Sequence, residues 1–116
     1  MRLFYAFFYS LSGLNQAFKC EASFRLEVYG LIVMVFLLYV LDYPLLESLL
    51  MASAYVLVMI VELLNTGLEK VVDRFSTEKH PLSKMVKDVG SAAVFISMCL
   101  CGVVWGCIVY SHLIRG

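Results

Sequence analysis

The sequence predicts an all-α membrane protein, and three observations support this fold class. Hydrophobic residues make up 62% of the 116 residues, whereas soluble domains are about 45–50% apolar. The apolar residues are gathered into three runs that carry almost no charge, and turn-forming residues separate them. Before the first run, residues 1–27 have the apolar and polar pattern of an amphipathic helix. The length suits a single domain, residues 1–116.

The N-terminal segment, residues 1–27, is predicted to be a surface helix lying in the plane of the membrane interface. Its apolar side chains share one broad helical face. They are Leu3, Phe4, Phe7, Phe8, Leu11, Leu14 and Phe18. Polar residues, from Arg2 to Lys19, fall on or near the other face.

Three transmembrane helices are predicted to follow, at about 28–43, 45–75 and 83–113. The first uncharged run is shorter than the roughly 20 residues of a full span, so its helix must borrow flanking residues. Asp42-Tyr43-Pro44 predicts a tight turn, because proline disfavours helix at the residue before it. The second helix is longer than a bilayer is thick, so its end should project into water. Ser83 is predicted to be the N-cap of the third helix.

The distribution of Lys and Arg predicts the orientation in the membrane. These residues occur in the N-terminal segment and in the 70–87 segment, and none occurs between residues 42 and 47. By the positive-inside rule, the N-terminus and the second connection are expected to be cytoplasmic, and three spans then leave the C-terminus on the outside. The net charge is zero, which gives no argument for a nucleic-acid partner.

A stripe of polar residues on the second predicted span is the strongest functional signal. Glu62, Asn65, Glu69 and Asp73 are spaced so that they line one helical face. A carboxylate at membrane depth costs a few kcal/mol, and such groups are usually functional. Glu62 could be a general base or could hydrogen-bond a neighbouring helix. Glu69 could bind a metal or form an ion pair, Asn65 could orient a base or bond across helices, and Asp73 could be a solvated charge.

A second stripe opens the third predicted span, where Lys84, Lys87, Asp88 and Ser91 share one face. A lysine there could hold a phosphate, or it could simply follow the positive-inside bias. With Glu21 as a third carboxylate beside Glu62 and Glu69, the residue types suit Mg-assisted phosphoryl transfer near a membrane surface. The sequence contains no GxxxxGK motif and no Gly-rich nucleotide fingerprint, so a P-loop or protein-kinase mechanism is excluded.

The segment ELLNTGLEKVVDR at 62–74, followed by HPLS at 80–83 and KDVGSAA at 87–93, resembles the prokaryotic diacylglycerol kinase family. The resemblance extends to EASFR at 21–25, to Tyr9-Ser10, to Trp105 and to Ser111-His112. It implies a surface helix and three transmembrane helices per subunit, in a homotrimer with active sites between subunits at the cytoplasmic interface. It also implies ATP-dependent phosphorylation of the primary hydroxyl of diacylglycerol, giving phosphatidic acid, in the bacterial inner membrane.

The resemblance also assigns roles by position. Glu62 matches the family's proton acceptor, and Glu21 and Glu69 match its Mg2+ ligands. The residues that match its ATP site are Arg2, Tyr9, Glu21, Glu69, Glu78, Lys79, His80, Lys87 and Asp88. Asn65 and Asp73 are expected to organise the site. The residues expected near the lipid acceptor are Arg2, Ser91 and Trp105.

Three other functions compete with this interpretation. Undecaprenol kinases of the same superfamily share the site motif, although Arg74 and the Gly90-Ser91 region look closer to the diacylglycerol branch. A small multidrug transporter would need four spans with its glutamate in the first, whereas this sequence has three spans with Glu62 in the second. Trp105 and its neighbours could also be interfacial anchors of a purely structural subunit, in which Glu62 and Glu69 would tolerate replacement.

Overall fold

The computed structural model describes residues 2–75 and 80–115, and these ranges form four helices. They are α1 (Arg2–Cys20), α2 (Ala22–Val40), α3 (Leu45–Phe75) and α4 (Pro81–Arg115). Helices α2, α3 and α4 are each long and apolar enough to cross a membrane. The predictions of an all-helical chain and of three candidate spans are therefore confirmed for the described residues.

The break between the first two helices lies at Glu21, whereas the sequence predicted it after residue 27. Glu21 is extended, with φ −109° and ψ 108°. One guanidinium nitrogen of Arg25, Nη1, donates to the carbonyl oxygens of Phe18 and Lys19, each at 2.8 Å. These carbonyls at the end of α1 have no partner within their own helix, so Arg25 satisfies them and fixes the break. Helix α2 thereby gains residues 22–27 and reaches 19 residues, close to a full span.

The predicted turn at Asp42-Tyr43-Pro44 is confirmed, and its hydrogen bonds show how α2 ends. Asp42 adopts a left-handed conformation, with φ 61°, which aspartate tolerates better than most residues. The backbone N–H of Asp42 donates to Tyr39 at 3.1 Å, and that of Tyr43 donates to Leu38 at 3.1 Å. This pair of bonds is a Schellman ending, and it satisfies carbonyls that the helix leaves open.

Helix α4 begins at Pro81, so the prediction that Ser83 is its N-cap is wrong. Proline suits the first position of a helix because the N–H that it lacks would have no partner there. His80 occupies the capping position instead, and its ring nitrogen Nδ1 accepts a hydrogen bond from the Leu82 backbone N–H at 3.1 Å. Ser83 therefore lies inside the first turn.

Helices α3 and α4 pack along each other most extensively, α2 packs on α3, and α1 packs on α2. Met34, Leu38 and Met51 form a buried cluster that Trp105 partly covers. The Trp105 indole N–H donates to the Met51 carbonyl at 3.1 Å, which joins α4 to α3. Most other apolar side chains face outward, where lipid tails or neighbouring helices can contact them.

A second tie between α3 and α4 lies at the end of α3 away from the polar stripe. His112 Nε2 lies 2.9 and 3.1 Å from the two carboxylate oxygens of Glu47. The His112 ring also packs on the Tyr43 ring, with centroids 4.2 Å apart. The two helices are thus fixed at this end by side-chain contacts.

Candidate functional site

Three helices contribute to a small pocket, here called the polar pocket, at the inner part of the α3 stripe. It has a volume of about 320 Å³. Its lining residues are Ser23, Glu62, Asn65, Thr66, Ser91 and Val94. The structure therefore brings together Glu62, Asn65 and Ser91, which the sequence had assigned to proton transfer, site organisation and the lipid acceptor. The pocket offers one carboxylate among neutral hydroxyl and amide groups, a suitable environment for binding an alcohol.

Asn65 of α3 packs directly against Gly90 of α4. Its amide nitrogen Nδ2 donates to Glu69 Oε1 at 3.1 Å, so it orients that carboxylate along the same helix. Its amide oxygen Oδ1 is buried and has no hydrogen-bond partner among the described residues. A Cβ atom on residue 90 would overlap this amide oxygen, so the glycine at position 90 is what allows the contact.

The outer part of the stripe is joined to α4 by an ion pair. Lys87 Nζ lies 2.9 Å from Asp73 Oδ1, and the Asp73 side chain is also exposed to solvent. Lys87 precedes the uncharged stretch 89–111 of α4, and its hydrogen bond to Asp73 raises the pKa of the ammonium above its ordinary value. It therefore stays charged at physiological pH. Lys84 instead pairs with Asp88 in its own helix at 2.7 Å, and both side chains are well exposed.

Glu21 lies at the α1–α2 break, apart from the other stripe residues. Its Oε1 atom is 3.5 Å from Lys70 Nζ. Both residues line a cleft of about 720 Å³ between α1 and α3, and Glu69 is not among the residues that line it. Within residues 2–75 and 80–115, no three His, Cys, Asp or Glu side chains are grouped as a metal site. The described part of one chain therefore does not assemble Glu21, Glu62 and Glu69 into one metal-binding group.

The remaining predicted site residues that the structure describes lie on α1, at the start of α4 and, for Trp105, further along α4. Arg2 and Tyr9 are on α1 with exposed side chains, and His80 caps α4. Glu78 and Lys79 lie outside the described residues. Trp105 lines a second cavity that Glu62 also reaches. Its indole bond to Met51 places it between helices, a different position from that of an interfacial anchor.

Sequence reasoning missed Glu27, which faces Glu62 from α2. The Glu27 carboxyl lies within hydrogen-bonding range of the Glu62 carboxyl, and both line the second cavity. Glu27 Oε1 is buried with no hydrogen-bond donor among the described residues. The sequence did contain a signal for Glu27, namely its position at the end of an uncharged run. Glu27 directly precedes one such run, and Glu62 directly follows another. The late placement of the helix break assigned Glu27 to the membrane surface and hid this signal.

Comparisons with known proteins cover most of the chain. A family model described as prokaryotic diacylglycerol kinase matches residues 8–109, a range that includes every candidate residue except Arg2. The chain is 48% identical over 102 residues to a protein named diacylglycerol kinase from Haemophilus influenzae, covering 88% of this chain and 86% of that one. Identity is 45% over 100 residues to the protein of that name from Pseudomonas aeruginosa, covering 86% and 81%. It is 41% over 104 residues to that from Escherichia coli K12, covering 90% and 85%.

Proposed function

This chain belongs to the prokaryotic diacylglycerol kinase family, and we propose that it transfers the γ-phosphate of ATP to the primary hydroxyl of diacylglycerol. The products are phosphatidic acid and ADP. The observation that carries the proposal is the placement of Glu62, a carboxylate within an apolar helix that opens into the polar pocket beside Asn65 and Ser91. The relatives' names support the choice of lipid. Family membership argues against the transporter and the purely structural subunit.

Glu62 acts as the general base in this proposal. The lipid hydroxyl enters the polar pocket, and its oxygen attacks the γ-phosphorus while Glu62 takes the hydroxyl proton. A new O–P bond forms, the bond from phosphorus to the bridging oxygen of ADP breaks, and ADP leaves. The proton then passes to water. Phosphoryl transfer depends mainly on positioning and charge stabilisation, so one well-placed base and a few polar contacts are sufficient protein chemistry.

The ATP side of the site is proposed to use the charged residues where α3 and α4 meet the cytoplasm. Lys87 supplies a fixed positive charge for the phosphates, and Asp73 orients it through the 2.9 Å ion pair. Ser91 and Trp105 border the space next to Glu62 where the acceptor would lie. The other residues proposed to contact ATP are Arg2, Tyr9, Glu78, Lys79, His80 and Asp88.

Glu69 and Glu21 are proposed to hold Mg2+. Mg2+ is commonly bound by one or two carboxylates together with phosphate oxygens and water, so a dedicated cluster of three side chains is not required. Asn65 bonds only one oxygen of Glu69, and the contact from Glu21 to Lys70 is long, at 3.5 Å. Both carboxylates therefore fit as oxygen donors. The bound ion would neutralise charge on the ATP phosphates.

We propose that the protein is a homotrimer in the bacterial inner membrane, with α1 lying on the membrane surface. The proposal is supported by the finding that the described residues of one chain form no group of three potential metal ligands, because a neighbouring subunit could complete the site. The distribution of Lys and Arg supports a cytoplasmic N-terminus and α3–α4 connection, and a periplasmic C-terminus.

Phosphate transfer from labelled MgATP in mixed micelles tests the function, with diacylglycerol and undecaprenol offered separately. Glu62→Gln is the test variant, and Glu47→Gln is a matched control at the other end of the same helix. We expect label on diacylglycerol with the wild type and with Glu47→Gln, and none with Glu62→Gln. Label mainly on undecaprenol would contradict the proposed acceptor. Label on neither lipid, with well-folded protein, would contradict the kinase activity.

A further inference from the structure

Glu27 and Glu62 share a cavity of about 400 Å³ between α2, α3 and α4, here called the carboxyl cavity. The other lining residues are Tyr55, Val58, Met98, Cys101, Gly102 and Trp105. None of these side chains carries a positive charge. The two carboxyl groups are within hydrogen-bonding range, and Glu27 Oε1 is buried without a donor among the described residues.

Two carboxylates within hydrogen-bonding range of each other cannot both be charged without strong repulsion. The apolar surroundings screen that repulsion poorly. Neither carboxylate has a hydrogen-bond donor to offer the other. A single proton between them removes the repulsion and supplies the missing donor. Carboxyl pairs held in this way behave as one titrating unit.

Tyr55 fixes the backbone that carries Glu27. The Tyr55 hydroxyl donates to the Glu27 carbonyl oxygen at 2.8 Å, a bond that joins α3 to α2. The hydroxyl also occupies the space beside Gly30, where a Cβ atom would lie 2.6 Å from it. The bond therefore depends on glycine at position 30, and it sets the height of Glu27 along α2 relative to Glu62 on α3.

We propose that Glu27 is a positioning residue that acts through Glu62: the two carboxyl groups hold one proton between them, and Tyr55 keeps Glu27 in place. The catalytic consequence rests on the proposed function. The shared proton first leaves to water, and the proton from the lipid hydroxyl is then received between the two ionised carboxylates. No positive charge lines the carboxyl cavity, so accepting this proton relieves the repulsion between the two carboxylates. The proton returns to water after ADP leaves.

The groups that face the pair allow its titration to be isolated. From α3 and α4, the titratable neighbours in the carboxyl cavity are Tyr55 and Cys101. In the polar pocket on the other side of Glu62, the polar neighbours are Ser23, Asn65, Thr66 and Ser91. All of these are neutral near pH 7, so the acid limb of the rate profile should report the carboxyl pair.

The pH dependence of kcat in Glu27→Gln tests the proposal. Glutamine keeps the shape of the side chain and removes the like charge. We expect the midpoint of the acid limb to move to lower pH by about one pH unit or more, with a lower plateau and an unchanged KM for MgATP. Tyr55→Phe should move the midpoint in the same direction, whereas Tyr29→Phe, which removes a hydroxyl outside the carboxyl cavity, should not. An unchanged profile in folded Glu27→Gln would overturn the proposal.

A double-mutant comparison tests the role of Tyr55. When Tyr55 is present, the Cβ introduced by Gly30→Ala would displace the Tyr55 hydroxyl. The single variant should therefore lose activity. In the Tyr55→Phe background that hydroxyl is absent, and the nearest ring atom, Cζ, would be 3.7 Å away, an ordinary contact. Gly30→Ala should therefore have no further effect there. An equal loss in both backgrounds would show that Tyr55 does not hold Glu27.

Infrared spectroscopy measures the shared proton without catalysis. The wild type at pH 7 should show the C=O stretch of a protonated carboxyl group, and this band should disappear in Glu27→Gln and persist in Glu47→Gln. A wild type that phosphorylates lipid but lacks the band would refute the inference and leave the function standing. A wild type that shows the band but phosphorylates neither lipid would refute the function and leave the shared proton standing.

Discussion

Replacing Gly90 with alanine should disturb the polar pocket through one contact. The new Cβ would overlap the Asn65 amide oxygen and lie 3.1 Å from its Cγ. Asn65 must then rotate, which breaks the 3.1 Å bond to Glu69, or α3 must move away from α4, which opens the polar pocket. Overpacking of this kind costs about 1–3 kcal/mol. Losing a hydrogen bond to a charged group costs about 1.5–3 kcal/mol.

We therefore expect Gly90→Ala to lower the free energy of unfolding by about 1–3 kcal/mol and to lower kcat at least about tenfold. Thermal unfolding in detergent micelles and initial rates of phosphate transfer measure the two effects. Gly106→Ala is the matched control, because it lies on the same helix and a Cβ there has nothing within 4 Å. It should be neutral or slightly stabilising, since alanine is the better helix former.

A second background separates steric overlap from other causes. In Asn65→Ala only the Cβ of residue 65 remains, 3.9 Å from the new Cβ, which is an ordinary contact. Gly90→Ala should then cost almost no further stability or activity. The reasoning is refuted if Gly90→Ala behaves like Gly106→Ala, or if its full cost persists in the Asn65→Ala background.

Three further predictions concern the metal site, the phosphate site and the outer end of the bundle. Glu69→Ala should raise the Mg2+ concentration needed for half-maximal rate by about tenfold or more, and an unchanged Mg2+ titration would remove it from the metal site. Lys87→Met should lower kcat/KM for MgATP by about tenfold or more, whereas Lys19→Met should leave it unaltered; equal values for the two variants would contradict the phosphate role. His112→Ala should lower the free energy of unfolding by about 1 kcal/mol through loss of the Glu47 contact, measured by thermal unfolding, without changing kcat. A loss of kcat in that variant would mean that this end is coupled to the site.

Hydrophobic patterning predicted the three candidate spans because each helix is long and its composition changes sharply at its ends. Helical periodicity also predicted that Glu62 and Asn65 share a face, and the structure places Ser91 of α4 in the same pocket. The spans and the shared face of Glu62 and Asn65 depend on sequence spacing along one helix. They require no knowledge of how the helices approach one another.

Two of the features that were missed depend on contacts between elements, and the third is an unusual local cap. The break at Glu21 is fixed by Arg25 reaching back to α1 carbonyls, which local propensity does not reveal. The cap at His80 uses an imidazole nitrogen, although serine is the more usual capping residue. The approach of Glu27 to Glu62 depends on how α2 packs on α3. Spacing along either helix could therefore not identify Glu27 as the partner of Glu62.

The most direct test of the central claim is the turnover number of Glu62→Gln with MgATP and diacylglycerol in mixed micelles, measured beside Glu47→Gln. A general base typically contributes about 10²–10⁴ in rate. The account predicts that Glu62→Gln loses at least about 100-fold in kcat while it keeps the unfolding temperature and oligomeric state of the wild type. A folded Glu62→Gln protein that turns over near the wild-type rate would contradict the assignment of Glu62 as the base.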